Sequence, residues 1–198
     1  MEKELEPRLA EAKSNKRTVY FVDAAHFVLG SFLGYLWCTM RIFIPTSCGR
    51  KRYNVLGALD AITHQLITVC NDTYINACSV CELLQEIRRV TIGDVPITLV
   101  MDNARYQRCA LVMQLAEKLK IELLFLPSYS PNLNLIERLW KWVKKDCLNC
   151  KYYEHFSEFK DAINQSLSKV SLPEGKKETD TLFALNFQLF DNAIYKRG

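Results

Sequence analysis

Two short runs of strand-forming residues, Thr18-Val19-Tyr20-Phe21-Val22 and Ile97-Thr98-Leu99-Val100-Met101, are each followed at once by an aspartate, Asp23 and Asp102. Runs of this length without apolar-polar alternation fit strands covered on both faces, as parallel members of a sheet are. Both strands are predicted to stop at their carboxylate. Sheets of this kind present functional groups at the carboxyl ends of their strands, so Asp23 and Asp102 are expected at one edge, open to solvent and ligand.

The remaining periodicities supply the layers around those strands. Tyr53 to Leu59 and Gln65 to Cys70 read as an antiparallel hairpin. Val80, Leu83, Leu84 and Ile87 give a helix over residues 76–90, ended by Gly93-Asp94. A helix over 109–119, a strand over 121–126 closed by Pro127, a helix from Asn134 to about Leu148 and an amphipathic helix over 156–170 follow. The order implies an α/β fold with a mixed sheet flanked by helices in a single domain. Residues 1–17, with Leu5, Leu9 and Ala12 spaced i, i+4, i+7, read as a helical arm or linker. Residues 18–170 form the domain, and 171–198 a C-terminal tail with a helix over 182–194. Residues 26–52 read as irregular and aromatic-rich.

Composition narrows the function classes. At 198 residues, with 49% hydrophobic and 24% charged positions, the chain can bury a core without disulfides. Its eight cysteines are expected to be reduced fillers in a cytoplasmic protein, since the charged leader has no apolar segment for secretion. Gly30, Ser31, Gly34, Thr39 and Arg41 interrupt the apolar stretch over 27–44, which excludes a membrane span. The net charge of +4 permits a polyanionic partner without requiring one.

Glu137 stands beyond Asp102 with 34 residues between them, at the start of the helix that follows the next strand. At 100° per residue it shares one helical face with Arg138, Lys141, Lys144 and Lys145, while Leu135, Ile136, Leu139, Trp140, Trp142 and Val143 form the other. Aimed at the two strand-end aspartates, it completes a cluster of three carboxylates. Such a cluster repels itself unless cations neutralise it, and hard oxygen donors favour Mg²⁺ or Mn²⁺ over zinc. A pair of such ions suits in-line phosphoryl displacement, which makes phosphodiesters the natural substrate. A plainer reading stands beside it. Asn134 and Glu137 fit a capping box, Glu137 and Lys141 fit an i,i+4 pair, and a strand-end aspartate fits a turn.

Four segments, VYFVDAAHF (19–27), GRKRYNVLGALD (49–60), ITLVMDNARYQ (97–107) and LPSYSPNLNLIERLWKWVKK (126–145), together resemble the catalytic domain of mariner-like insertion-sequence transposases of the DDE class. The resemblance covers about residues 18–170. It implies a ribonuclease-H-like fold, as in retroviral integrases, and Asp23, Asp102 and Glu137 as a catalytic, metal-binding triad holding two Mg²⁺ ions, with Mn²⁺ as substitute. It also implies cleavage of DNA at transposon ends and attack of the freed 3′-hydroxyl on target DNA. The family often carries His where Gln107 stands and Pro where Leu135 stands. It usually has helix-turn-helix modules ahead of the catalytic domain, so a separate module of that kind is an expected partner. A homodimer is expected in the active complex, since two ends must be joined. The reading from a different class is a truncated, non-catalytic DNA-binding remnant or regulator of transposition.

Among further candidates, Arg50, Lys51 and Arg52, with Lys141, Lys144 and Lys145, can contact DNA phosphates; a solvated basic face is the plain alternative. His26 is a candidate neighbour of the metals or of a phosphate, and a hydrogen-bonded structural role competes. Asn103 is a candidate to orient Asp102, against a turn role. Trp140 and Trp142 fall toward the apolar arc, so core packing is expected of them, and Trp37 is a candidate for base stacking. Cys78-x-x-Cys81 and Cys147-x-x-Cys150 have zinc-knuckle spacing but lie 65 residues apart, without knuckle glycines.

Overall fold

Five strands form one sheet in the order β3-β2-β1-β4-β5. The computed structural model describes residues 2–30, 39–40, 43, 51–91, 93–127, 134–172 and 181–183. The strands are β1 (Thr18–Val28), β2 (Arg52–Asp60), β3 (Leu66–Asn71), β4 (Ile97–Met101) and β5 (Ile121–Phe125). β1 runs antiparallel to β2 and parallel to β4; β2–β3 is an antiparallel hairpin and β4–β5 a parallel pair. The mixed sheet and the hairpin agree with the sequence pattern.

The helices are α1 (Glu2–Lys13), α2 (Ala77–Val90), α3 (Ala110–Lys118), α4 (Ile136–Leu148) and α5 (Phe156–Val170), with a 3₁₀ turn over Arg105–Gln107. Strand alternation sends Val19, Phe21, Ala25 and Phe27 to one face of the sheet, where they pack with α1, α4 and α5. Tyr20 and Val22 face the other side and pack with α2 and α3. The result is a three-layer α/β/α arrangement with a separate core on each face. Both cores are apolar because β1 and β4 are buried from both directions, which is why their sequences do not alternate.

The ends of α2 follow local chemistry. Asn76 accepts from the Ser79 N–H at 3.1 Å, and the Ser79 hydroxyl receives the Asn76 N–H at 3.4 Å, forming a capping box. The charged leader forms α1, and Leu5, Leu9 and Ala12 are buried in the α4–α5 core. Arg8 and Arg17 both reach Glu122 on β5, and the Thr98 hydroxyl donates to the same carboxylate at 2.8 Å, fastening α1 to the sheet. These donors hold the Glu122 carboxyl down at about 2.

One strand end differs from expectation. β1 does not stop at Asp23 but continues to Val28, because β2 pairs with it from Tyr20↔Asp60 to Val28↔Arg52. The pairing with β4 does stop there, its last rung being Val22↔Met101. Asp23 therefore marks the end of one ladder within a strand that another ladder prolongs. The irregular reading of 26–52 thus fails for residues 26–28 and 52. Arg50, Trp37 and the tail helix beyond residue 183 lie outside the described residues.

Candidate active site

Asp23 and Asp102 each follow a residue of the last β1–β4 rung, Val22↔Met101. Val22 and Met101 both face the α2–α3 core, so alternation turns Asp23 toward α4, the face occupied by Phe21 and Ala25. Asp102 lies just past the end of β4 and is exposed, as the sequence pattern predicts. Glu137, in the first turn of α4, is half-buried.

The charges of the other two carboxylates act on Asp23. Asp23 is pushed up to about 6, first by burial and then by the negative charges of Asp102 and Glu137; the Trp140 indole and the Ala24 backbone oppose the rise. Burial raises Glu137 as well, and Lys141 one turn along the helix counters it. Tyr106, on the 3₁₀ turn after Asp102, is raised by burial and by the charges of Asp102 and Asp23. Among the described residues no group of three or more His, Cys, Asp or Glu side chains is arranged to hold a metal ion as it stands. The donor set nonetheless suits a hard divalent cation: three carboxylates, one of them costly to ionise without a compensating positive charge.

Two side chains of the α4 region connect it to β1 at the aspartate. The Trp140 Nε1–H donates to Asp23 Oδ2 at 3.1 Å. The buried Asn134 amide donates to the Val22 carbonyl at 3.3 Å, and the Asn134 backbone carbonyl accepts from the Glu137 N–H at 3.2 Å. Asn134 thus links the residue before one carboxylate to the backbone of another. The capping box expected from Asn134 and Glu137 does not form: Leu135 is the N-cap residue, with no side-chain cap, and the Asn134 NH2 donates to β1 while its buried Oδ1, the atom a cap would use, has no partner among the described residues.

Trp140 can approach Asp23 because Gly57, the β2 partner of Asp23, has no side chain. A Cβ there would lie 2.7 Å from Trp140 Cη2 and 3.0 Å from Ile136 Cδ1. The core role expected of Trp140 is correct, since it is 5% exposed. Its polar tip, the seat provided by Gly57 and the Asn134 link are not anticipated by the sequence reading. The available signal is spacing: Trp140 lies three residues after Glu137, close to the same helical face.

Other candidates divide. Lys141, Lys144 and Lys145 are exposed or half-exposed on α4, as the helical wheel predicts, and Lys51 and Arg52 are exposed at the start of β2. Arg138 is half-buried, donating to the Leu182 carbonyl at 3.2 Å. His26 lies three residues from Asp23 on the same strand, so alternation places its side chain on the opposite sheet face, where its Nδ1 meets Asn54 Oδ1 at 2.7 Å. That contact fits the hydrogen-bonded structural role that competed for it in the sequence reading. Asn103 is exposed beside Asp102. Cys147 is buried and its thiol is pushed up to about 11 by that burial, so the spaced cysteine pairs gain no support as a zinc site.

Comparison with known proteins agrees with this architecture. The family model described as DDE superfamily endonuclease matches residues 18–160. No curated protein matches the chain by sequence. Among solved structures, the Mos1 transposase catalytic domain with raltegravir and Mn aligns at TM-score 0.55 and 13% identity, covering 94% of this chain and 92% of that one. A pre-cleavage Mos1 transpososome gives 0.55 and 13%, covering 96% and 61%. The simian T-cell lymphotropic virus intasome gives 0.53 and 14%, covering 75% and 46%. The chain thus spans about half to three fifths of the length of the longer proteins it matches. At these identities the likeness establishes the fold, which is ribonuclease-H-like. The family match covers most of the chain, and the protein belongs to the DDE superfamily of endonucleases.

Proposed function

We propose that the protein is the catalytic domain of a metal-dependent DNA transposase, cleaving phosphodiester bonds at transposon ends and joining the 3′-hydroxyl to target DNA. The observation that supports this reading is the Asp23 carboxyl pushed up to about 6, first by burial and then by the charges of Asp102, just past β4, and Glu137 on α4. Mutual repulsion among carboxylates is unfavourable unless positive charge is supplied, and sites that bind hard cations share this property.

Asp23, Asp102 and Glu137 are the residues that would hold two Mg²⁺ or Mn²⁺ ions. Bound there, the ions supply Lewis acidity to the attacking and leaving oxygens of an in-line displacement. The chain's own residues set the stage. Trp140 fixes one carboxylate oxygen of Asp23 and leaves the other directed elsewhere. Asn134 keeps Glu137 in register with β1. Asn103 stands beside Asp102 to orient it. Lys141, Lys144 and Lys145, with Arg50, Lys51 and Arg52, neutralise DNA phosphates and so position the strand without reading its sequence. Two ends must be brought together, so the active complex is a homodimer on DNA, and a separate helix-turn-helix module supplies end recognition.

The second reading, a non-catalytic DNA-binding remnant or regulator, is favoured by one observation: the carboxylates do not stand as a closed ligand set among the described residues. One experiment separates the two. The protein, combined with its end-recognition module, is incubated with terminal-repeat DNA and Mn²⁺ or Mg²⁺. Nicking that disappears in Asp102→Asn while the circular dichroism spectrum is retained supports catalysis. DNA binding without nicking, or nicking undiminished in Asp102→Asn, rejects it.

A further inference from the structure

A cleft of about 530 Å³ opens where β2 begins, β3 has just ended and α5 starts; Lys51, Arg52, Asp72, Thr73 and Phe156 line it. Its polar groups are unevenly matched. Asp72 is paired with Lys160 at 2.9 Å, whereas none of the ion pairs among the described residues involves Lys51 or Arg52. Two exposed cations therefore face the cleft without a countercharge, and the cleft suits an anion.

Its floor is aromatic. The half-buried Phe156 ring carries the Lys160 ammonium 5.1 Å from its centroid and the Lys51 ammonium 5.9 Å away; Lys160 also lies 5.9 Å from the Tyr53 centroid. A ligand with an anionic group and an adjoining apolar surface meets both features at once. A nucleotide unit has that make-up, with a phosphate next to a sugar and base.

The strand register gives the distance to the carboxylates. Asp23 pairs with Gly57, and Arg52 lies five residues earlier on the same strand. At ~3.3 Å per residue this is about 17 Å along β2. Phe156 packs against the core that holds Trp140, so the cleft's aromatic wall lies on the Asp23 side of the sheet; Arg52, an odd number of residues from Gly57, projects to the other face at the strand's end. We infer that the cleft is a subsite for one phosphate and its attached nucleoside on a DNA strand, about 17 Å along β2 from the register position of Asp23. The inference rests on the proposed DNA-cleaving function and adds to it a place and a chemistry for the flanking strand.

The test measures binding of the full chain to a 20-base-pair duplex of mixed sequence by fluorescence anisotropy, over a series of KCl concentrations. Three variants are compared with the wild type: Lys51→Gln/Arg52→Gln, which removes charge and keeps most of the side-chain stems, Phe156→Ala, and Lys141→Gln/Lys144→Gln on α4. Removing a cation that neutralises one phosphate reduces the slope of log K against log salt by ~0.9. The cleft pair, which shares one phosphate, is expected to reduce it by about 1, while Phe156→Ala weakens binding several-fold with the slope unchanged. A cleft pair with the wild-type slope, alongside a reduced slope in the α4 pair, overturns the subsite and leaves the DNA-cleaving reading standing. Wild-type slopes in both pairs, or no binding by the wild type, overturn the DNA-binding reading together with the subsite.

Discussion

Gly57 of β2 lies directly beneath the indole of Trp140, so that a Cβ added at Gly57 would stand 2.7 Å from the ring. Gly57 is also the strand partner of Asp23, which accepts that indole's N–H. A single missing side chain thus decides whether the tryptophan can lie close enough to the sheet to reach the carboxylate. Gly57→Ala is expected to push the ring outward, cost about 1–3 kcal/mol of stability and lower Tm by several degrees. Thermal denaturation checks this, and an unchanged Tm would show that the ring has room to shift.

Trp140→Phe keeps an aromatic body over Gly57 and removes the donor. The expected loss is about 1–2 kcal/mol, because Asp23 Oδ2 loses its partner in a half-buried place. The Asp23 carboxyl should rise above its present value of about 6, since the indole is one of the groups opposing that rise. A pH titration of the metal-free protein followed by carboxyl-selective NMR reads this directly. A titration midpoint at or below the wild-type value refutes the role given to the indole.

Asp23→Asn should separate stability from activity. The folded-state value of about 6 lies above the ordinary 3.8, so protonation favours the folded chain. That contribution is complete below pH ~4 and disappears as pH rises through 6. At pH 7.5 the metal-free wild type is therefore less stable than a chain with a neutral residue there, by up to about 3 kcal/mol for a shift of about two units. Urea melts at pH 7.5 should favour Asp23→Asn, and the advantage should shrink toward pH 4. DNA nicking by the same variant should be abolished.

Glu122 has the opposite sign. Arg8, Arg17 and Thr98 hold its carboxyl at about 2, below the ordinary 4.5, so the stability it confers is present above pH ~4.5 and is lost as pH falls toward 2. Glu122 is more than a third exposed, so screening limits the effect to about 1 kcal/mol. Glu122→Gln should release α1 preferentially. Hydrogen exchange at neutral pH is expected to speed up over residues 4–13 while β1 and β4 stay protected; uniform acceleration throughout the chain would argue against a local fastening.

Much of this arrangement is legible in the residues alone. Thr18–Val22 and Ile97–Met101 announce buried strands because neither alternates, and α5 is marked by its apolar period from Phe156 to Val170. Three features are not. The extension of β1 beyond Asp23 depends on which neighbour continues the ladder, and a polar residue within a strand resembles a stop when only one neighbour is considered. The Asn134 amide resembles a helix cap because capping is the usual local use of its oxygen, whereas in the fold its NH2 is directed to a tertiary acceptor, the Val22 carbonyl, and the oxygen caps nothing. His26 is close to Asp23 in number, but odd separation along a strand places a side chain on the far face.

The end of the β4 ladder at Val22↔Met101 has a mechanical consequence. All five strands lie side by side only at the Phe21 and Val22 rungs; beyond Val22↔Met101 β1, β2 and β3 continue, and past Asn54↔Asn71 only β1 and β2. The aspartates therefore stand at a step in a rigid platform. A rod-like polymer resting against the step can extend along the ledge of β1 and β2 toward Arg52, so the reach of the platform is fixed by how far those two strands stay paired.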